Sequence, residues 1–348
     1  MGSLPENGYQ ISCLGVGRDD AHSKEISEIA NSIIIELATD FDLELSALDG
    51  ITFAHDYAKA LAELDRGFTT RRTLAATDVP HAQGIAMTPS VIRDGEIRFR
   101  IVASAWVGIG LLDANEALKS QAIYTLCHEA AHVHHESKWY KAFPEKHGTP
   151  INEPGKISKL ISDVFSAFSE YAVCRTTATI RPDSVTDYET GFVGAIHHTF
   201  SVRTEKMRAY LLTRNHQLIL DEMAAVFGEL LKLSAYLLGH LDGLGAEMKE
   251  RAEAAYYQLQ KYPALQAALE TFHKELRALW DTEGTWTGFD SYYPLHECAI
   301  QLIAAYSVTL KTNGSQFSVT VPLEVIEQFV DMQWIAEHAN ELASANQP

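Results

Sequence analysis

Residues 127–135 read Cys-His-Glu-Ala-Ala-His-Val-His-His. Within this run His128-Glu129-x-x-His132 places two imidazoles four residues apart, so in a helix they project from one face, one turn above the other. Two imidazoles so placed can share one metal ion, with ring nitrogens about 2.0–2.1 Å from zinc. Glu129, offset by one residue, brings a carboxylate beside that ion, where it can act as general base on a water. The chemistry implied is hydrolysis with a metal-activated water.

The flanking sequence predicts the helix that this geometry needs. Asp113 with Glu116 gives a capping-box-like start, and Ala117, Leu118, Ala122, Ile123, Leu126, Ala130 and Val133 supply apolar positions. Ala130 and Ala131 are small enough to leave room for metal and substrate. His134 and His135 are expected to be solvated groups near the helix end. His135 lies roughly on the face of His128 and is also placed to support a ligand. Cys127 and Cys174 are expected to be small buried apolar residues rather than ligands.

A catalytic zinc site takes three protein ligands and keeps one position open. The extended motif with glycine three residues and histidine six residues after the second histidine is excluded, because those positions hold His135 and Lys138. A carboxylate from a second helix is the alternative. Between the break at Pro154-Gly155 and the stop at Pro182, the residues Ile157, Leu160, Ile161, Val164, Phe165, Phe168 and Ala172 recur at helical spacing. Asp163 and Glu170, seven apart on one stripe of that helix, lie off this apolar face, beside the small residues Ser166, Ala167 and Cys174. Glu170 is read as the third ligand. Asp163 is the other candidate, as ligand or as acceptor for a histidine N–H.

This pattern resembles the gluzincin class of zinc metallopeptidases, in which a glutamate on a later helix completes H-E-x-x-H. Ser169-Glu170-Tyr171-Ala172 looks like the glutamate helix of its minimal members, including the ImmA/IrrE type. The resemblance covers about residues 50–180. It implies Zn²⁺ held by His128, His132 and Glu170, with Glu129 catalytic and a peptide or protein as substrate. Two departures stand out. Cys174 occupies the position, four after Glu170, where many members carry an aspartate, which leaves Asp163 as the other acid for that role. The 38 positions from His132 to Glu170 also exceed those of the simplest members, which an inserted loop at roughly 137–155 would explain.

The rest of the chain must position these groups. Helix is predicted at 24–39 and 58–64, a short strand at 51–54, and a hairpin from Gly84 to Ala105 around Asp94-Gly95, a strong two-residue turn signal. Phe99, Ile101 and Ala103 alternate with Arg98, Arg100 and Val102, as for a sheet with one wetter face. By analogy with the family, this hairpin would bind extended peptide by strand addition. After Pro182 nearly all is helical, at 192–212, 216–239, 246–260, 264–280, 292–311 and 323–343. A hairpin of Val308 to Leu310 with Phe317 to Val321, around Asn313-Gly314, is the alternative to the end of the fifth segment. The fold class expected is therefore α+β: a zincin-like metal-binding catalytic domain at 1–182 and an α-helical domain, or a lobe closing the cleft, at 183–348. Tyr188, His197, His198, Tyr292, Tyr293 and His296 are chemically able to stabilise an oxyanion, and sequence does not choose among them.

A net charge of −18 argues against nucleic acid as partner. The four scattered cysteines form no disulfide framework. The N-terminus shows no secretory pattern, and Ala224 to Leu241, interrupted by Glu229, Lys232 and His240, is read as a buried or partner-facing helix rather than a membrane span. A cytoplasmic protein without membrane association is expected. The reading that competes with a peptidase is a non-proteolytic zinc-binding regulatory or interaction protein on the same scaffold. A fourth ligand, from Cys127 or His135, would distinguish it.

Overall fold

The computed structural model describes residues 2–69, 73–76, 78–79, 82–149, 151–153, 156–213, 215–305, 308–313, 316–320 and 330–341. It is an α+β protein with a small mixed sheet. The chain divides into two compact units, one of 1–149 with 172–184, the other of 150–171 with 185–348. The later crossing lies two residues from the boundary read from Pro182. The earlier segment, 150–171, is assigned to the second unit instead.

The first unit opens with β1 (Gln10–Leu14), α1 (Asp20–Thr39), β2 (Leu48–Ala54) and α2 (Tyr57–Ala62). The Asp19 side chain accepts the His22 N–H and so fixes the start of α1. Ile26, Ala30, Ile34 and Leu37, at helical spacing, are buried. Two short pairing segments, β3 (Asp78–Val79) and β4 (Ala82–Gln83), form a separate ladder. Then come β5 (Ala86–Met87), β6 (Ser90–Arg93) and β7 (Glu96–Ser104). The turn between β6 and β7 has positive φ at both Asp94 (54°) and Gly95 (82°), as a tight two-residue hairpin requires. In the main sheet β1, β2 and β7 run parallel, and β5 and β6 pair antiparallel with β7 along its other side. Phe99, Ile101 and Ala103 are buried as the alternation predicts, and Arg100 on the opposite face is paired with Asp49 at 3.0 Å. Val102 is buried as well, so that face is covered rather than wet near the end of β7.

After α3 (Ala105–Gly110), a short helix not predicted, the motif helix α4 spans Glu116–Ala142. Its N-cap is Asn115, whose side chain accepts the Ala117 and Leu118 N–H groups, while Asp113 accepts from Asn115 itself. Asp113 therefore shapes the preceding turn instead of capping the helix. Leu118 is exposed, but from Leu126 to Val133 every residue is buried. Ala122, Leu126, Ala130, Ala131 and Val133 pack into one core with Ile26, Ile34, Phe53, Phe99 and Ile101. Burial of such apolar side chains contributes about 1.5–3 kcal/mol each for the larger ones, which is what holds α4 against the sheet despite its polar central turn. The stretch expected as an inserted loop is still helical to Ala142 and continues as a single 3₁₀ turn at Pro144–Lys146.

Helix α5 (Ser158–Thr177) crosses the unit boundary: residues through Tyr171 belong to the second unit and Ala172 onward to the first. The second unit continues with α6 (Ser184–Thr213), α7 (His216–Leu244), α8 (Met248–Arg251), α9 (Glu253–Gln260), α10 (Pro263–Asp281) and α11 (Tyr293–Ala305). Residues 309–311, expected as the end of a helix, instead belong to strand β8 (Thr309–Asn313), which pairs antiparallel with β9 (Gln316–Thr320). Of the final segment, helix α12 covers Met332–Glu337, and residues 321–329 lie outside those described. The stretch Asp221–Leu244 in α7 is long and apolar enough to cross a bilayer, and 72% of its apolar 18-residue window is buried within the protein. Gly228 and Gly239, three turns apart on α7, allow a close approach to α5. A Cβ at Gly239 would stand 2.3 Å from the Tyr171 carbonyl oxygen, and one at Gly228 2.6 Å from Asp163 Oδ2.

Candidate metal centre

Four polar side chains on α4 and α5 lie in largely apolar surroundings. His128 and His132 are each 8% exposed, Glu129 7% and Glu170 6%. Burial of this kind is costly unless each group finds a partner. The two rings, one turn apart, lie 5.1 Å between centroids with planes at 76°. His128 Nδ1 faces Cys174 Sγ at 4.0 Å, and His132 Nδ1 faces Glu136 Oε1 at 3.7 Å. Both rings thus turn Nδ1 toward protein groups, as metal-binding imidazoles do when Nε2 carries the metal.

One ligand atom from each of His128, His132 and Glu170 lies within 4.8 Å of the others. In a tetrahedral site with bonds of about 2.0–2.2 Å, donors stand roughly 3.4 Å apart, a spacing of the same order. Two neutral nitrogens and one carboxylate oxygen, buried together, form a donor set that fits a divalent metal ion. Glu170 lies on α5 one turn before Cys174.

Glu129 is held separately. The Thr88 hydroxyl, in the two-residue gap between β5 and β6, lies 2.7 Å from Glu129 Oε2 and 3.0 Å from the Glu129 carbonyl oxygen. Its single proton is donated to this acid, which ties the edge of the sheet to the motif helix. Tyr57, at the start of α2, has a hydroxyl sealed from solvent and without a hydrogen-bond partner among the described residues. Burial, and then the Glu129 carboxylate, push the Tyr57 phenol well above its ordinary range.

In the second unit, Lys232 Nζ on α7 lies 3.0 Å from Glu170 Oε1. Directly beside it, Tyr171 donates to Asp242 at 2.5 Å, and Asp242 also receives His273 at 2.9 Å and a two-pronged bond from Arg277. Burial alone would raise the Asp242 pKa. The bonds from Arg277, His273 and Tyr171 outweigh it and hold this carboxyl well below the usual range.

Asp163 does not join the cluster. It pairs with Lys159 one turn earlier on α5 and packs against Gly228. The position facing His128 is filled by Cys174, not by an acid. His135, expected near solvent, is 4% exposed and bonds Thr176 at 2.8 Å, and His134 Nδ1 accepts the Glu44 N–H at 2.8 Å. Cys127 is a core residue whose thiol is pushed up to about 12 by burial. Of the groups able to stabilise an oxyanion, His296 accepts the Ile157 N–H, Tyr293 donates to Glu153 and Tyr292 is buried among Phe168, Trp286 and Phe289. These three serve the packing of their own unit. Thr88, Lys232, Glu136 and Tyr57 were not singled out by sequence. Glu136 alone carried a local signal, its spacing of four from His132. Comparison with protein-family models, curated proteins and solved structures finds no match to this chain.

Proposed function

We propose that this chain is a zinc-dependent metallopeptidase with a zincin-like catalytic unit. One observation carries the reading: His128 and His132, on the turn of α4 that carries Glu129, and Glu170 on α5 present their ligand atoms together and buried. Among the described residues no fourth ligand joins these three. Glu129 beside these ligands favours catalysis over a purely structural metal, which has no use for that carboxylate.

His128, His132 and Glu170 would hold the ion. When bound, zinc supplies a Lewis acid that polarises a carbonyl and brings the pKa of water toward about 7. The remaining work falls to this chain's own groups. Thr88 holds Glu129 at Oε2, and Oε1 takes the proton as water attacks the substrate carbonyl. The same oxygen then returns the proton to the departing amine. Cys174 stands beside the His128 ring and Glu136 beside that of His132. An extended peptide would add as a further strand beside β5, next to Thr88, because the outward groups of β6 are taken: the Arg66 carbonyl accepts the Ile92 N–H, and the Arg66 side chain donates to the Ser90 carbonyl.

The test is Glu129→Gln on the full chain, assayed by mass spectrometry against a mixed peptide library, with metal measured in parallel. The variant should keep one zinc per chain and lose peptide cleavage. Wild-type cleavage by this variant would overturn the assignment, and His132→Ala should lose both metal and cleavage.

A further inference from the structure

The stripe of α7 that faces α5 reads Gly228, Lys232, Ala235, Gly239 and Asp242, spaced four, three, four and three. Its two glycines remove the side chains that would hold the helices apart. Between them stands Lys232, and this approach brings its ammonium 3.0 Å from Glu170 Oε1. The Lys232 side chain is 35% exposed and that of Glu170 8% exposed, so the ion pair is buried at the carboxylate end. On the neighbouring residue, the Tyr171–Asp242 bond fastens the same two helices together. Glu170 is therefore fixed by its helix and by one of its own oxygens.

A carboxylate can meet a metal through one oxygen or two. Two-oxygen binding would add a donor to the ion and crowd the position that a catalytic site leaves open for water. We propose that Lys232 is a positioning residue, whose ammonium engages Glu170 Oε1 so that the carboxylate offers a single oxygen to the metal and the site stays open. The proposal rests on the assignment of His128, His132 and Glu170 as ligands. It adds the group that sets how the third of them binds. The reach is across 62 positions of sequence, and no local pattern marks Lys232.

The experiment uses the full chain with zinc or cobalt(II) alone. Zinc affinity is measured by competition with a chromophoric chelator, and cobalt coordination by the intensity of its visible d–d bands, which falls as coordination number rises. Lys232→Met should bind zinc about 10–100-fold more weakly, the usual cost of losing a group that orients a ligand, and its cobalt bands should weaken. Lys232→Arg should restore both, and Lys232→Gln, which keeps a donor without charge, should fall between. Wild-type affinity and spectrum in Lys232→Met would overturn the proposal, even if its melting temperature dropped, because that would leave the pair a structural one. Tighter zinc binding in Lys232→Met would overturn it too, as the sign of an ammonium that competes with the metal. A wild-type chain that takes up no metal would remove the ligand assignment itself, and this proposal with it; that result is read before any variant is compared.

Discussion

Replacing Thr88 by Val keeps the shape of a side chain that is only 8% exposed and deletes its hydroxyl. The hydroxyl lies 2.7 Å from Glu129 Oε2, and Glu129 is itself 7% exposed, so little water can take its place. A hydrogen bond to a charged group contributes about 1.5–3 kcal/mol, against about 0.5–1.5 for a neutral one. Thr88→Val should therefore cost about 1.5–3 kcal/mol. At about 2–4 °C per kcal/mol for a unit of this size, that is a fall of roughly 3–12 °C in calorimetry of the metal-free chain. Thr88→Ser, which keeps the donor, should stay within about 1 kcal/mol of wild type. The decisive step is the cycle with Glu129→Gln, where the acceptor is neutral and the cost of Thr88→Val should drop by about 1 kcal/mol. Equal costs in the two backgrounds would refute the idea that Thr88 acts through the Glu129 carboxylate.

Asp242→Asn should destabilise the protein by about 2–3 kcal/mol in chemical denaturation, since Asp242 is 4% exposed while its partner Arg277 is half exposed and partly screened. Because the folded pKa of Asp242 lies below the unfolded value of about 3.9, its contribution is full above that value and fades as pH falls through the folded one. The wild-type advantage should be flat from about pH 8 to 5 and shrink in stronger acid; an advantage that grows on acidification would contradict the network. Tyr57→Phe removes a buried hydroxyl that has no partner among the described residues. It should leave stability unchanged or raise it by about 1 kcal/mol, and a loss of that size on thermal unfolding would mean that the hydroxyl is bonded after all.

The parts of the fold legible in sequence are those whose pattern is set within a few residues. Asp94-Gly95 marks the β6–β7 turn because few other pairs tolerate two successive positive φ values. The buried face of α1 shows in Ile26, Ala30, Ile34 and Leu37 because one helix face meets one core. Strand β1 escapes this logic. It lies at the edge of the sheet, with Gln10 and Leu14 at its ends exposed and the residues between them half buried, so no apolar alternation marks it. Helix α3 escapes it as well, being six residues long with two glycines. Gly108 is there because a Cβ would meet Phe53 at 3.0 Å, a requirement of packing that no helix propensity expresses. At the other end of the chain, Thr309, Leu310 and Thr312 favour a strand, and the helix that precedes them stops at Ala305.

The candidate site divides along the same line. His128, Glu129 and His132 are legible because helical spacing alone puts them on adjoining faces, and Glu170 because an acid off an apolar stripe is conspicuous. What surrounds them is set by tertiary packing. Cys174 could be read only as a missing acid, whereas in the fold its thiol stands against His128 Nδ1. Asp163 shares the stripe of Glu170, yet seven residues of helix carry it about 10 Å along the axis, to a place where Gly228 makes room for it and Lys159 pairs with it. Spacing can therefore propose two acids, but only the packing of α7 on α5 separates them. The glycine at Gly228 admits Asp163 as a packed side chain, and one turn further along, Lys232 reaches Glu170. The same close approach of two helices that withdraws one acid from the site places a cation on the other.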